Sequence, residues 1–376
     1  MSMWFFRSPE VVFGEDSLSH LNSLGKKKFL IVTDRNLVKT KLVEMVKESI
    51  DPSSEIMVFS AIGEEPGEDE ILSGIKEIRK FSPEVVIGLG GGSSLDTAKI
   101  IYAMNERQDL TPYDITPINP LNLGKRSVLV AIPTTSGTGS DCSWAAVFSG
   151  SSEKRKNEIA SPEILPHISI LDPSMVISLP PEQTRNTATD AITHAIEAYG
   201  SQWRNPYSDA MAEKSIELIA ESLPEVMRDP GNAFHRGNVH IGASMAGIAF
   251  SNSQVGLAHA MGHALGAMFK IAHGKAVGLY LPSVIRFNSK AVGERYERLN
   301  RIFPTVFRER SLDATVEKFL TSVGQAISLQ ATGIKESDYR SSLNGMVDLA
   351  MESTGILTNP ADSEAAQIRE LFLEVV

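Results

Sequence analysis

The feature that most constrains the fold is an alternation of short apolar runs with helix-like segments in the first half of the chain. Between two of the runs, Ile71, Ile75 and Ile78 recur at helical spacing. Strands that alternate with helices predict a parallel sheet covered by helices on both faces. The runs that fit buried strands are 29–33, 56–59, 85–89 and 128–132.

The second half of the chain has a different pattern. A further apolar run, 168–171, precedes the proline-rich stretch 173–183, which predicts a domain boundary. Beyond it, segment 208–227 carries apolar side chains on one side of a helix and charged side chains on the other. We therefore predict an α/β domain, 1–178, and an all-helical domain, 179–376. Further helices are predicted at 256–269, 290–303, 312–328, 336–351 and 363–375.

Length and composition exclude several classes of protein. A chain of 376 residues can bury two substantial cores. Its net charge of −10 disfavours a nucleic-acid or anionic-membrane partner. Cys142 is the only cysteine, which fits a reducing cytoplasm, and the N-terminus lacks the apolar core of a signal peptide. The uncharged run 237–269 is long enough for a membrane span, but its Ser, Asn, Gln, His and Gly residues favour buried helices of a cytoplasmic protein.

Two small-residue loops follow predicted strands. Gly90, Gly91 and Gly92 come directly after run 85–89 and open a helix. Glycine lets the backbone approach a ligand, and free amides at a helix N-terminus favour a pyrophosphate. Ser93 replaces the third glycine of the Rossmann fingerprint, and no Walker sequence follows. The loop 133–140 follows the next strand in the same way. Together they predict a nucleotide site at the sheet edge, with ordinary connecting turns as the alternative.

Asp34 ends another predicted strand. A carboxylate in this place can accept hydrogen bonds from the two hydroxyls of an adenosine ribose and would repel a 2′-phosphate. The sequence therefore favours NAD over NADP, although the adjacent Arg35 weakens that preference.

Histidines cluster in the helical half. Asp190 and His194 are four residues apart, so on a helix they share a face and could bind one ion. His259 and His263 repeat this spacing, and His273 follows. Imidazoles buried in an uncharged segment need hydrogen bonds or a metal. Carboxylate and imidazole groups are usual ligands of divalent transition metals, so a metal site is predicted, with hydrogen-bonded core histidines as the alternative.

Taken together, these motifs resemble those of the iron-containing (group III) alcohol dehydrogenase family, over essentially the whole chain. They are 90–99, 133–140, 190–197 and 259–263 followed by His273-Gly274. The resemblance implies a dehydroquinate-synthase-like fold with NAD(P) and a metal in the cleft between the domains. It implies a catalytic His263 beside the reacting carbon. The implied metal ligands are Asp190, His194, His259 and His273.

The resemblance also implies a set of cofactor contacts. Asp34 would contact the adenosine ribose, and Lys156 would reach the nicotinamide ribose. Dimerisation is implied through segment 4–12, so a homodimer is the first expectation. The residues implied at the pyrophosphate loop and the adenosine side are Gly90, Gly91, Gly92, Ser93, Asp96, Thr134, Thr135 and Thr138.

The function that follows is a metal- and NAD(P)-dependent alcohol dehydrogenase or aldehyde reductase. The metal, Fe²⁺ first with Zn²⁺ or Ni²⁺ as alternatives, polarises the substrate oxygen, and a hydride passes between a small primary alcohol or hydroxy acid and NAD(P). His263 relays the proton to solvent.

Several alternatives share parts of this pattern. A glycerol or polyol dehydrogenase of the same fold typically lacks the second helix histidine, so His194 argues against it. A semialdehyde reductase stays open, with Arg185 as a weak indication of an acidic substrate. A dehydroquinate-synthase-like lyase needs many Lys and Arg, which the run 237–269 does not supply. A non-enzymatic metal or nucleotide sensor would bind without turnover.

Three departures from the family pattern leave the substrate open. They are Asp141-Cys142-Ser143, Ala188-Thr189 and Gln254. In the implied fold all three lie near the cofactor or the substrate pocket.

Overall fold

The computed structural model describes residues 5–63, 67–150 and 156–376. They form two compact units, Arg7–Ser178 and Leu179–Val376, the second including Phe5 and Phe6. That the first binds NAD(P) and the second a metal stays a prediction at this point. None of the helices in the described ranges combines the length and apolar character needed to cross a bilayer.

The first unit contains two sheets. Their strands are β1 (Glu10–Phe13), β2 (Lys28–Asp34), β3 (Glu55–Ile62), β4 (Val85–Gly90), β5 (Val128–Pro133), β6 (Ala145–Ser149), β7 (Lys156–Ala160) and β8 (Ile168–Leu171). Six strands form a parallel sheet in the order β1-β8-β5-β4-β2-β3. β6 and β7 form an antiparallel pair.

The helices of this unit cover both faces of the parallel sheet. They are α1 (His20–Ser23), α2 (Lys41–Glu48), α3 (Glu68–Phe81) and α4 (Gly92–Glu106). Successive residues of β2 point to opposite faces. Leu30 joins a buried cluster with Ile75 of α3, whereas Ile31 joins a second cluster with Val43 of α2. This arrangement confirms the predicted α/β fold class.

The second unit is helical. Its helices are α5 (Pro181–Gly200), α6 (Pro206–Arg228), α7 (Ala233–Ser251), α8 (Leu257–Phe269), α9 (His273–Ile302), α10 (Leu312–Ser322), α11 (Leu329–Thr332), α12 (Glu336–Met351), α13 (Gly355–Thr358) and α14 (Ala365–Leu373). α5 packs against α6, α7 and α9, and α8 packs against α9 and α12.

α5 lies in the middle of this helical unit. Pro181 opens it, because proline has the φ of a first helical residue and lacks an N–H that would be unpaired there. Ile192 and Ile196 are fully buried in the core, and each such side chain contributes about 1.5–3 kcal/mol through burial. A helix surrounded by other helices also buries its polar residues, and these form the site described next.

Candidate functional site

Three helices bring the predicted metal-binding residues together. α5 carries Asp190 and His194, α8 carries His259, and α9 begins at His273. Asp190 and His259 are only 3% and 2% exposed. Two helices and one helix start therefore converge on a buried carboxylate.

Gly274 allows this convergence. A Cβ built on Gly274 would lie 1.8 Å from the carbonyl oxygen of Asn186 on α5, which is closer than any side chain can approach. The same Cβ would lie 3.3 Å from Cβ of Asp190. Only glycine lets the start of α9 approach α5 so closely, and His273 is thereby placed beside Asp190.

The nitrogen atoms of three histidines surround one oxygen of Asp190. Oδ1 lies 3.2 Å from Nε2 of His273, 3.4 Å from Nε2 of His259 and 3.9 Å from Nε2 of His194. The ligand atoms of Asp190, His259 and His273 all lie within 4.8 Å of one another, which is the spacing of a shared metal ion. The predicted ligands thus come together from positions 83 residues apart in sequence.

Two of these atoms are buried without a hydrogen bond. Oδ1 of Asp190 and Nε2 of His259 have no hydrogen-bond partner within the described ranges. A buried polar group left in this state costs on the order of 1–3 kcal/mol. A carboxylate oxygen and an imidazole nitrogen that converge in this way are suited to a divalent transition metal, so the residues present fit the implied ion.

Glu197, one turn beyond His194 on α5, fixes His259. Nδ1 of His259 donates to Oε2 of Glu197 over 2.5 Å, which leaves Nε2 with its lone pair for a metal. Glu197 also accepts from the backbone N–H groups of Gly256 and Ala258 at the start of α8. Sequence analysis gave Glu197 no role. The available signal was the spacing of Asp190, His194 and Glu197, four and three residues apart on one helix face.

The electrostatics of the cluster follow from these contacts. Burial acts to raise the pKa of Asp190, but His194, His273 and His259 together hold it well below the usual range of a carboxyl group. Burial acts to lower the pKa of His259, but Glu197 and Asp190 outweigh it and raise the pKa to about 9. The carboxylates of Asp190 and Glu197 thus favour positive charge on His259, and a metal ion bound at Nε2 would supply that charge in place of the proton.

His194 and His263 lie at the sides of the cluster. The ring of His194 stacks on that of His259, with centroids 4.3 Å apart, and is buried. The ring of His263 stacks on that of His273 at 4.9 Å and is exposed. His194 is thus positioned as a fourth ligand candidate, and His263 as a group between the cluster and solvent.

In the α/β unit, the glycine-rich loop has the geometry of a phosphate cradle. Gly90 ends β4 with φ of 147°, a conformation that favours glycine. Gly91 is the N-cap of α4, and no side chain among the described residues caps this helix. The amides at the start of α4 are therefore free of side-chain caps, as anion binding at a helix N-terminus requires. Ser93 lies in the first turn of the same helix.

Threonine side chains from the loop that follows β5 lie beside the glycine-rich loop. Cβ atoms built on Gly91 and Gly92 would lie 3.6 Å from Cγ2 of Thr135 and 3.1 Å from Cγ2 of Thr138. The N–H of Thr134 donates to the carbonyl oxygen of Gly90, at the end of the pairing of β4 with β5. The predicted loop and threonines are thus adjacent.

Asp34 reaches the same edge from β2. Its Oδ1 accepts from the N–H groups of Asn36 and Leu37, both at 2.8 Å. Its Oδ2 lies 3.7 Å from a Cβ built on Gly90, so this oxygen faces the loop. Nη2 of the adjacent Arg35 lies 3.1 Å from Oε1 of Glu70, which draws the guanidinium toward α3.

Two further cofactor contacts were predicted, at Asp96 and at Lys156. Asp96 is largely buried, and its oxygens accept from the hydroxyl of Ser140 and the N–H of Val147, so it stabilises the loop from within the protein. Its direct contact with a cofactor stays a prediction. The side chain of Lys156 lies outside the described residues.

The departures noted in the sequence are mostly buried. Asp141 accepts from the hydroxyl of Ser169, and Ala188 and Thr189 are fully buried on α5. Asp141, Ala188 and Thr189 are therefore part of the packed interior. Gln254 differs from them, because it is only half-buried and has a left-handed backbone conformation with φ of 71°.

An α/β unit with a glycine-rich loop and a helical unit with a buried carboxylate–histidine cluster are features expected of a metal- and dinucleotide-dependent oxidoreductase. The chain matches the family "Iron-containing alcohol dehydrogenase" over residues 8–173 and "Fe-containing alcohol dehydrogenase family, C-terminal" over residues 184–376. It belongs to the iron-containing alcohol dehydrogenase family, whose members use NAD(P) and a metal. The chain is therefore an alcohol dehydrogenase or aldehyde reductase acting on small alcohols or aldehydes, and the predicted family, fold class and enzyme class are confirmed.

Two relatives with alcohol dehydrogenase names match over nearly their whole length. The chain is 33% identical to the 1-propanol dehydrogenase of Salmonella typhimurium, with 96% of this chain and 97% of the relative covered. It is 29% identical to the NADPH-dependent butanol dehydrogenase of Clostridium saccharobutylicum, covering 98% and 97%. The solved structure of an alcohol dehydrogenase from Oenococcus oeni aligns with a TM-score of 0.91 and 28% identity, covering 100% of both chains.

Proposed function

We propose that this enzyme interconverts short-chain primary alcohols and their aldehydes, with a divalent metal held by Asp190, His194, His259 and His273. The observation that carries the proposal is a pair of buried atoms, Oδ1 of Asp190 and Nε2 of His259, which have no hydrogen-bond partner in the described part of the chain and lie beside His273. The names of the propanol and butanol dehydrogenases support the substrate class.

The bound metal would act as a Lewis acid on the substrate oxygen while NAD(P) carries the hydride. The residues of the chain supply position and proton transfer. Glu197 holds the proton on Nδ1 of His259 and so keeps Nε2 directed at Asp190. His263, exposed and stacked on His273, is the group we assign to move the substrate hydroxyl proton to solvent.

For the cofactor we propose NAD over NADP. Oδ2 of Asp34 faces the glycine-rich loop, where it can accept from ribose hydroxyls and would repel a 2′-phosphate. Arg35, the nearby cation, is paired with Glu70. One relative is named for NADPH, so cofactor choice differs within the family and has to be tested on this chain.

Fe²⁺ is the first choice of metal, with Zn²⁺ and Ni²⁺ as alternatives, because the ligand types suit all three. We also propose a cytoplasmic homodimer. The single cysteine, Cys142, is buried, as expected for a protein of a reducing compartment.

The first experiment measures metal content and turnover together. Freshly purified protein should contain about one metal per chain, as a single four-ligand site holds one ion, and should oxidise NADH with propanal or butanal. His259→Ala and His273→Ala should lose the metal and turnover in parallel. An active variant with no bound metal would refute the ligand assignment.

A further inference from the structure

A cavity lies within the helical unit, away from the metal cluster. It has a volume of about 300 Å³, and its lining combines three long polar side chains, Arg185, Lys275 and Gln325, with Thr321, Gly324, Ala326, Ile327 and Ala331. Arg185 belongs to α5, Lys275 to the first turn of α9, and Gln325 to the chain just after α10. A cavity of this size lies in the range of small-molecule sites. None of the three side chains belongs to the metal cluster or the glycine-rich loop.

Arg185 lines the cavity and has an unsatisfied donor in its guanidinium group. Its Nε is buried and has no hydrogen-bond partner among residues 5–63, 67–150 and 156–376. Its ion-pair contact with Glu182 spans 3.9 Å to a carboxylate that is 71% exposed, so this contact contributes little. Nη1 lies 3.5 Å from a Cβ built on Gly324, which places the guanidinium against the cavity wall.

Lys275 adds a second cation. Its Nζ donates to the carbonyl oxygen of Thr332 over 3.4 Å, which is a long hydrogen bond. An ammonium group has three donors, so donors remain for a ligand. No Asp or Glu is present among the described residues that line the cavity. The cavity therefore has an excess of positive charge.

Gln325 provides the opposite kind of group. It is 5% exposed, and its Nε2 donates to the carbonyl oxygen of Gly274 over 3.3 Å, which fixes the orientation of the amide. Oε1 is then a buried acceptor with no partner in the described part of the chain. A ligand that satisfies the cavity must accept hydrogen bonds from Arg185 and Lys275 and donate one to Gln325.

We infer that the cavity binds a small oxyanion that carries a hydroxyl group, of which hydrogen phosphate is the simplest example. Its charged oxygens would accept from Arg185 and Lys275, and its hydroxyl would donate to Oε1 of Gln325. Sulfate has the same shape and charge but no hydroxyl at neutral pH, so it lacks the donor. The buried amide therefore predicts a preference for phosphate over sulfate.

Calorimetric titration of the full chain with phosphate and sulfate, at matched ionic strength in chloride, tests this inference. The unmodified chain should bind phosphate more tightly than sulfate. Arg185→Gln should weaken phosphate binding by about tenfold or more, since a charge-assisted hydrogen bond is roughly twice as strong as a neutral one. Gln325→Leu should reduce the affinity for phosphate to that for sulfate. The start of α4 can also attract phosphate. Only the part of the binding signal that is lost in Arg185→Gln is therefore assigned to the cavity.

Arg301→Gln, which removes an exposed arginine at the other end of α9, is the matched control and should change neither titration. If Arg185→Gln or Gln325→Leu does not fold, Lys275→Met and Gln325→Met replace them. A cavity that holds only water would show no phosphate binding sensitive to Arg185 or Lys275, and that result overturns the proposal. Equal affinity of the unmodified chain for the two ions also overturns it, because Gln325 would then not select a hydroxyl.

Discussion

At the scale of single residues, Glu197 combines two tasks in the buried interior of the helical unit. It accepts from Nδ1 of His259 and from two backbone N–H groups at the start of α8. A carboxylate behind a histidine ligand fixes the tautomer and raises the basicity of the nitrogen that binds metal. A carboxylate at a helix N-terminus also interacts favourably with the helix dipole. Glu197 is therefore a positioning residue for His259.

Glu197→Gln should weaken metal affinity by about 10–100-fold, the usual effect of removing such a partner. The amide can still accept from the start of α8, so the fold should persist. Competition with a chelator measures the affinity, and circular dichroism measures the fold. Glu217→Gln, at an exposed ion pair on α6, should leave affinity unchanged. Normal affinity in Glu197→Gln would show that His259 needs no carboxylate behind it.

The proposed preference for NAD over NADP rests on two carboxylates of the α/β unit, Asp34 and Glu70. Asp34→Ser should raise kcat/KM for NADPH relative to NADH by about tenfold or more, because like charges placed together cost several kcal/mol. Glu70→Gln should add to this change by releasing Arg35. Steady-state kinetics with both cofactors measures the ratio. Glu44→Gln, which breaks an exposed ion pair with Lys47, is the control. An unchanged ratio in Asp34→Ser would contradict the assigned ribose contact.

Sequence analysis identified those site residues that form a motif with near neighbours in the chain. Asp190 and His194 share a helix turn, and the glycines of 90–92 are consecutive, so both were visible as motifs. The structure places them as these patterns predict, although their roles stay predictions. Glu197 and Gln325 gain their partners only through tertiary contacts, 62 and 51 residues away in sequence. The spacing along α5 places Glu197 on the same helix face as Asp190 and His194, but no pattern along the chain specifies its pairing with His259.

At the scale of elements, the approach of α9 to α5 depends on Gly274. Gly274→Ala would place a methyl group 1.8 Å from the carbonyl oxygen of Asn186, so α9 must shift away and take His273 from Asp190. We expect a loss of about 1–3 kcal/mol or more in the free energy of unfolding, together with weaker metal binding. Chemical denaturation and metal analysis measure the two effects.

Gly293→Ala on the same helix is the matched control, because a Cβ at Gly293 meets nothing within 4 Å. It should be neutral or stabilising by up to about 1 kcal/mol, since alanine is the better helix former. Equal effects of the two substitutions would show that Gly274 is not needed for close packing.

The elements themselves were predicted where their periodicity is strong. The central strands and α6, α8 and α12 were predicted within a few residues of their observed bounds, and α3 contains the three isoleucines at helical spacing. β1, β6 and β7 were missed, because each is short and has no long apolar run. Segment 290–303 was predicted as a separate helix but is the end of α9, which has a non-helical residue at Val292. α10 ends at Ser322, before the predicted residue 328, because Gly324 adopts φ of 76°.

At the scale of the whole molecule, β1 is an edge strand with a free side. Among the described residues it pairs only with β8. The N–H groups of Glu10 and Gly14 donate toward that neighbour, so in the alternating pattern of a strand those of Val11 and Phe13 point to the open edge. Phe13 is also largely exposed. An edge of this kind is a template for pairing with a second chain, which supports the proposed homodimer.

Val11→Pro tests this route to the dimer. Proline removes the outward N–H of Val11 and is tolerated at a sheet edge, so pairing with β8 should persist while pairing with a second chain is lost. Light scattering after size exclusion should give a dimer mass for the unmodified chain and a monomer mass for Val11→Pro.

Val11→Thr is the matched control. It keeps the N–H and a β-branched side chain of similar size, and it should stay dimeric. If Val11→Pro also stays dimeric, the two chains associate through another surface. A monomeric unmodified chain would exclude the homodimer, and the exposed edge of β1 would then need no partner.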